Sequence, residues 1–221
     1  GSVEVSTPGD NLDLLVAMNP AGLKTNLYAV KPGHTIIVDT DEHPRPEVTL
    51  EKLGTLRPAF SKEENASVTP CNSSGVNDGS AAMVLVEESL AKSLKLNILG
   101  YVGPCASSGV DPAIMGTGPI HAVEKLFQRV GLNANDIDLF ELNEAFAAQA
   151  LACTRAWGLA DDDIRLNPNG GSIAIGHPLG VTGARIAYSA AVELHEQNKK
   201  YALVTMCIGV GQGYAAIIER V

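Results

Sequence analysis

Apolar and polar positions alternate along this chain in two rhythms. Compact apolar-rich runs at 12–18, 34–39, 81–86, 98–102, 137–141 and 201–207 read as strands, and so does 213–219. Helical spacing falls between them. Ile120, Val123, Leu126, Phe127 and Val130 recur at intervals of three to four over 119–130. An Ala-rich stretch over 144–157 stops at Gly158, and a third helix runs from Pro178 or Gly180 to about 197. Shorter helices are expected at 87–94 and at 20–29, where Asn19 and Pro20 open the segment. Residues 164–167 read as one more short strand. The runs 201–207 and 213–219 are joined by a Gly-rich turn short enough for a hairpin.

Strands alternating with helices predict an α/β fold, a mixed sheet with helices on both faces. The first strand, helix, strand unit stands apart from the rest. After it, 41–62 is rich in Pro, Glu and Lys and reads as an exposed connection with at most one short helix, followed by a turn-rich stretch at 69–79. Three regions result: a segment 1–42, a connecting region 43–80 and a main domain 81–221. There is no internal repeat.

Composition narrows the function. At 221 residues the chain suits one well-buried domain, or a domain with a small appendage. A net charge of −9, with no cluster of basic residues, argues against nucleic acid. No apolar run reaches the roughly 18 residues a membrane span needs, and the start shows no export signal. Cys71, Cys105, Cys153 and Cys207 lie too far apart for a zinc site or a disulfide scaffold, so free thiols in a reducing, cytoplasmic setting are expected. No metal is expected. Gly1 and Ser2 read as a cloning remnant.

Three turns carry candidate chemistry, each at the end of an expected strand or the start of an expected helix. They are Asn143-Glu144-Ala145-Phe146-Ala147, then the run from Gly170-Gly171-Ser172 through Gly176-His177-Pro178 to Gly180, and last Cys207-Ile208-Gly209-Val210-Gly211. His177 sits between a residue free in backbone angle and one fixed in it, so its imidazole is stiffly presented. Near a helix start it should stay neutral and can donate to a developing oxyanion, or it can simply cap the turn. Cys207 can serve as an acid or base, or pack as a buried structural residue. Asn143 can cap the helix that follows it.

These three blocks, in this order, resemble those of the thiolase family. The likeness runs over about 39–221 and includes Asp41-Glu42-His43-Pro44-Arg45-Pro46, Leu56-Arg57-Pro58-Ala59-Phe60, Asn77-Asp78-Gly79 and Met115-Gly116-Thr117-Gly118-Pro119. The resemblance implies a thiolase-like five-stranded mixed sheet and the carboxyl-terminal half of an acyl-CoA acetyltransferase. It implies that Asn143 holds a water which, with His177, forms an oxyanion hole for a thioester oxygen. Cys207 would be the acid/base and the Gly209 N–H part of a second oxyanion hole. Ser74, Met115 and Phe146 would lie along the pantetheine and acyl pocket. Coenzyme A is then a substrate, and no bound cofactor is implied.

Two features depart from the family. The half that carries the acylated cysteine is absent, so the chain alone is expected to be inactive or incomplete. An exposed apolar surface then predicts association, with another copy or with a chain that supplies the missing half. Residues 3–42 are similar instead to a fragment of the 2-oxoacid:ferredoxin oxidoreductases, which suggests a chimera. A non-catalytic chimeric or assembly module with a remnant site is the alternative reading.

Overall fold

The computed structural model describes residues 48–221 and, upstream, the backbone of two short strands, β1 (Leu15–Val16) and β2 (Ile36–Ile37). These two pair in parallel, Leu15 opposite Ile36, in keeping with the strands expected at 12–18 and 34–39. The helix expected at 20–29, and most of the segment 1–42, lie outside the described residues.

The connecting region holds one short helix, α1 (Leu50–Gly54), capped by the Thr49 hydroxyl accepting from the Lys52 N–H at 3.3 Å. Next come α2 (Glu88–Ser93), β3 (Tyr101–Gly109), α3 (Gly118–Val130) and β4 (Leu139–Leu142). The chain continues through α4 (Ala147–Ala156), the single turn α5 (Ser172–Ile175) and α6 (Thr182–Glu196). It ends in the hairpin β5 (Tyr201–Ile208) and β6 (Gln212–Glu219).

The four longer strands form one sheet in the order β3-β6-β5-β4, antiparallel except for the parallel pair β4 and β5. Alternate residues feed two cores. On one face Phe140, Leu203, Ala215 and Ile217 pack against Ala122, Val123 and Leu126 of α3. On the other, Leu139, Ala202, Val204, Ala216 and Ile218 pack against Ile186, Ala190 and Leu194 of α6. Each fully buried leucine is worth roughly 1.5–3 kcal/mol to this sandwich. Helix α3 starts hard against β6: a Cβ on Gly213 would stand 2.1 Å from the Gly118 carbonyl carbon, so two glycines let the backbones meet.

The family resemblance implies five strands in this sheet, and the described residues form four. The stretch 164–167 supplies a single bridge, Leu166 opposite Phe140. Asn167 completes the edge with its side chain: its Oδ1 accepts from the Leu142 N–H at 2.9 Å and its Nδ2 donates to the Leu142 carbonyl at 3.0 Å. A side chain has taken the place of further strand backbone. The strand expected at 98–102 begins later and runs to Gly109.

The run at 81–86, also expected as a strand, has no strand partner among the described residues. Val84 and Leu85 are 71% and 72% exposed, and Met83 and Val86 are also open. β-propensity needs a neighbouring strand to become a ladder, and none of the described strands stands alongside.

Candidate active site

Strands β4 and β5 pair in parallel up to Leu142 and Thr205; the first block follows β4, the second follows the 164–167 stretch beside it, and the third starts at Cys207 near the end of β5. The Asn143 N–H donates to the Thr205 carbonyl at 3.0 Å, which continues the β4–β5 ladder one step past the strand. Helix α4 starts only at Ala147, so Asn143 does not cap it as the sequence allowed. Its side chain is fully buried and turned elsewhere.

That side chain meets His177, with Nδ2 3.3 Å from Nε2. The far side of the imidazole, Nδ1, lies 2.6 Å from Thr182 Oγ1 at the start of α6. The His177 backbone N–H donates to Asn77 Oδ1 at 2.8 Å, and Val76 bridges His177 in parallel. So the Asn77-Asp78-Gly79 block, to which the sequence assigned no task, fixes the backbone of the histidine. His177 has its pKa lowered first by burial and second by the Arg185 charge, so the ring is neutral at pH 7. The sequence expected a neutral ring from its place near a helix start; burial and the Arg185 charge also favour the neutral form.

Behind Asn143 lies a buried polar layer. Ser172 Oγ donates to Asn143 Oδ1 at 2.5 Å and accepts from Arg185 Nη2 at 3.1 Å. Arg185 is itself buried, with no hydrogen-bond partner for Nε among the described residues. Glu141 on β4 is buried near it, and burial pushes its carboxyl up to about 7 against the pull of Arg185. Glu144 ties the first two blocks together: its carboxylate accepts from Asn167 Nδ2 at 2.7 Å and from the Ile173 N–H at 3.2 Å. It can do so because residue 171 is glycine, where a Cβ would stand 2.0 Å from Glu144 Cδ.

The remaining expected residues gather on two sides. The Ser74 N–H donates to the Ala145 carbonyl at 3.0 Å, and Ser73 bridges Phe146, so the loop holding Ser74 pairs with the loop that runs from Asn143 to Phe146. The Phe146 ring meets Phe60 edge-on at 6.1 Å. Cys207 lies on β5 two positions beyond Thr205, buried, with its thiol pushed up by burial. It is close enough to Cys153 of α4 to contribute to that thiol's shift, which burial mainly drives up to about 11. Cys153 donates to the Gly116 carbonyl at 3.5 Å, which brings the turn that holds Met115 to the same side. Gly209 sits exposed at the hairpin turn. Asn143 and His177 are in contact, while Cys207, Met115 and Gly209 belong to the neighbouring strand end and turns.

Sequence reasoning passed over Ser172, Thr182 and Arg185. Thr182, five positions after His177 at a helix start, was visible as a spacing; the Ser172 and Arg185 contacts are set only by packing.

A mixed sheet between two helices, with a buried amide and imidazole touching beyond its parallel strand ends, defines a thiolase-like α/β domain. The family model for the thiolase C-terminal domain matches residues 96–220, and that for the thiolase N-terminal domain matches residues 25–89. The chain belongs to the thiolase family. It is 50% identical over 191 residues to the 3-oxoadipyl-CoA/3-oxo-5,6-dehydrosuberyl-CoA thiolase of Escherichia coli (strain K12), covering 86% of this chain and 47% of that protein.

The crystal structure of the Bacillus anthracis acetyl-CoA acetyltransferase is similar, with TM-score 0.77 and 43% identity, over 84% of this chain and 46% of that one. So is human mitochondrial 3-ketoacyl-CoA thiolase in complex with CoA, with TM-score 0.79 and 38% identity, over 91% and 51%. The chain thus spans about half the length of the relatives it matches. The N-terminal match begins at residue 25, upstream of residue 39, where the sequence expected the thiolase likeness to start.

Proposed function

We propose that this chain is the thioester-holding part of a thiolase acting on 3-oxoacyl-CoA, by Claisen condensation or thiolytic cleavage. The observation that supports it is the buried Asn143–His177 contact at 3.3 Å, presented at the end of the parallel strand pair. In this reading Asn143 holds a water that joins His177 in an oxyanion hole. Cys207 exchanges a proton with the substrate α-carbon or the coenzyme A sulfur. The Gly209 N–H belongs to a second oxyanion hole, and Ser74, Met115 and Phe146 lie along the pantetheine and acyl path. A thioester enolate is a short-lived anion, and each preorganised donor can contribute about 3–4 kcal/mol to its formation. The named bacterial relative suggests a 3-oxoacyl-CoA of dicarboxylic type.

Acyl transfer also needs an acylatable thiolate. By the family likeness none of the four cysteines takes that place, and burial raises the pKa of both Cys153 and Cys207, which leaves little thiolate at neutral pH. Full turnover therefore requires a nucleophile from outside these 221 residues. A cytoplasmic setting goes with this reading, supported by four unpaired cysteines.

The test is incubation of the pure chain with acetoacetyl-CoA and coenzyme A. Acetyl-CoA is followed by chromatography and any acyl adduct by mass spectrometry. Thioester binding that is lost in Asn143→Ala and His177→Ala supports the proposal; absence of binding by the unaltered chain ends it.

The exposed run 83–86 favours a second reading, an assembly module whose thioester site is a remnant. A chimeric origin for residues 3–42 is part of that reading. The thiolase match from residue 25 argues against its second half.

A further inference from the structure

Hydrogen-bond sense in this site is set from one end. A guanidinium only donates, so Arg185 gives a hydrogen to Ser172 Oγ, and the Ser172 hydrogen is left for Asn143 Oδ1. The Asn143 amide nitrogen then faces His177 Nε2 as a donor at 3.3 Å. A neutral ring that accepts there carries its hydrogen on Nδ1, where Thr182 Oγ1 receives it at 2.6 Å. The Thr182 hydroxyl passes its own hydrogen to the Pro178 carbonyl at 3.1 Å. Each link satisfies the next.

In that arrangement Nε2 offers a lone pair and cannot donate to a thioester oxygen. The hydroxyl supplies the way out. The Pro178 carbonyl already accepts from the Val181 N–H at 2.8 Å and the Thr182 N–H at 3.0 Å, so it loses little if the hydroxyl turns away. Turned to Nδ1, its nearer neighbour, the hydroxyl becomes a donor and the ring hydrogen belongs on Nε2.

We propose that Thr182 is a positioning residue whose hydroxyl selects which imidazole nitrogen of His177 carries the proton: Nδ1 in the empty site, Nε2 when a carbonyl oxygen arrives within reach of Nε2 and the Asn143 amide. One proton leaves Nδ1 to water and one is taken up from water at Nε2, so the ring stays neutral and no heavy-atom bond changes. The role in the occupied state rests on the reading of Asn143 and His177 as a thioester-oxygen site.

The experiment is long-range proton–nitrogen NMR on the full chain labelled with nitrogen-15 histidine, with His177→Gln to assign the ring. The free chain should show protonated Nδ1, and saturation with acetoacetyl-CoA should move the proton to Nε2. Thr182→Ser should keep both states. In Thr182→Val the free chain should lose protonated Nδ1 roughly tenfold, the worth of one buried hydrogen bond. A ring already protonated at Nε2 in the free chain, or a Thr182→Val chain with an unchanged tautomer, overturns the proposal. If the chain binds no thioester but Thr182→Val still shifts the free-chain tautomer, the thioester reading fails and the role of Thr182 stands.

Discussion

Two apolar runs of this chain, 82–86 and 139–142, look alike as sequence and live in opposite circumstances. Leu139–Leu142 is buried along its whole length, with α3 packed on one face, α6 on the other and β5 beside it. The earlier run has Val84 and Leu85 mostly open to solvent. Both have the apolar, β-prone composition of a strand, and only one is a strand. The difference teaches that strand character here is conferred by neighbours, and that the chemistry sits where the neighbours are complete.

Core truncation should expose the contrast most sharply. Leu126→Ala, which empties a fully buried place on α3, should cost about 3 kcal/mol in urea unfolding. Leu85→Ala should cost less than about 0.5 kcal/mol. Equal costs would break the comparison.

Next comes Gly171→Ala. Its Cβ must displace the Glu144 carboxylate, at about 2 kcal/mol of overpacking, and should shift the His177 ring resonances in the same sample. Unperturbed resonances would mean that the first two blocks are not mechanically joined.

The Glu141 carboxyl gives a pH signature. Its folded pKa of about 7 lies above the ordinary value of 4.5, so the folded state holds a proton that the unfolded chain releases between these values. Its contribution is fully present below about 4.5 and is lost as pH rises through about 7. Glu141→Gln should therefore gain stability relative to the unaltered chain across that window, by up to about 1.4 kcal/mol per pH unit. Thermal melts at pH 5, 6 and 7 check it, and parallel curves would show that the carboxyl is not held neutral.

The smallest effect on stability belongs to the open run. Leu85→Lys should leave the melting temperature within error while lowering fluorescence of an apolar-surface dye. An undiminished dye signal would place the exposed apolar surface elsewhere.

Much of this was legible beforehand. Ile120, Val123 and Leu126 gave α3 by spacing alone, and the Gly-rich turn after Cys207 gave the final hairpin. The nearness of Asn143 to His177 came from likeness to a family, because nothing in the 34 intervening steps of chain encodes it locally. Contacts made only in three dimensions stayed hidden. Nothing in the sequence marks Ser172 or Arg185 until packing buries both beside Asn143. Asn143 itself was open to a capping role because the delay of α4 to Ala147 follows from tertiary hydrogen bonds, among them the Ala147 N–H to the Asn72 carbonyl at 2.8 Å.

The Asn167 amide that mimics backbone along β4 has a counterpart at the opposite margin. There the carbonyls of Cys105 and Ser107 on β3 are taken by Arg129 at 2.7 Å and Lys125 at 3.2 Å. Side chains of this molecule thus occupy rungs at both outer strands, which discourages an incoming polypeptide from stitching itself on. Growth of the sheet into a fibre or a continuous two-subunit sheet is opposed from within, and the way left for another chain to engage is lateral, across greasy surface instead of through a ladder.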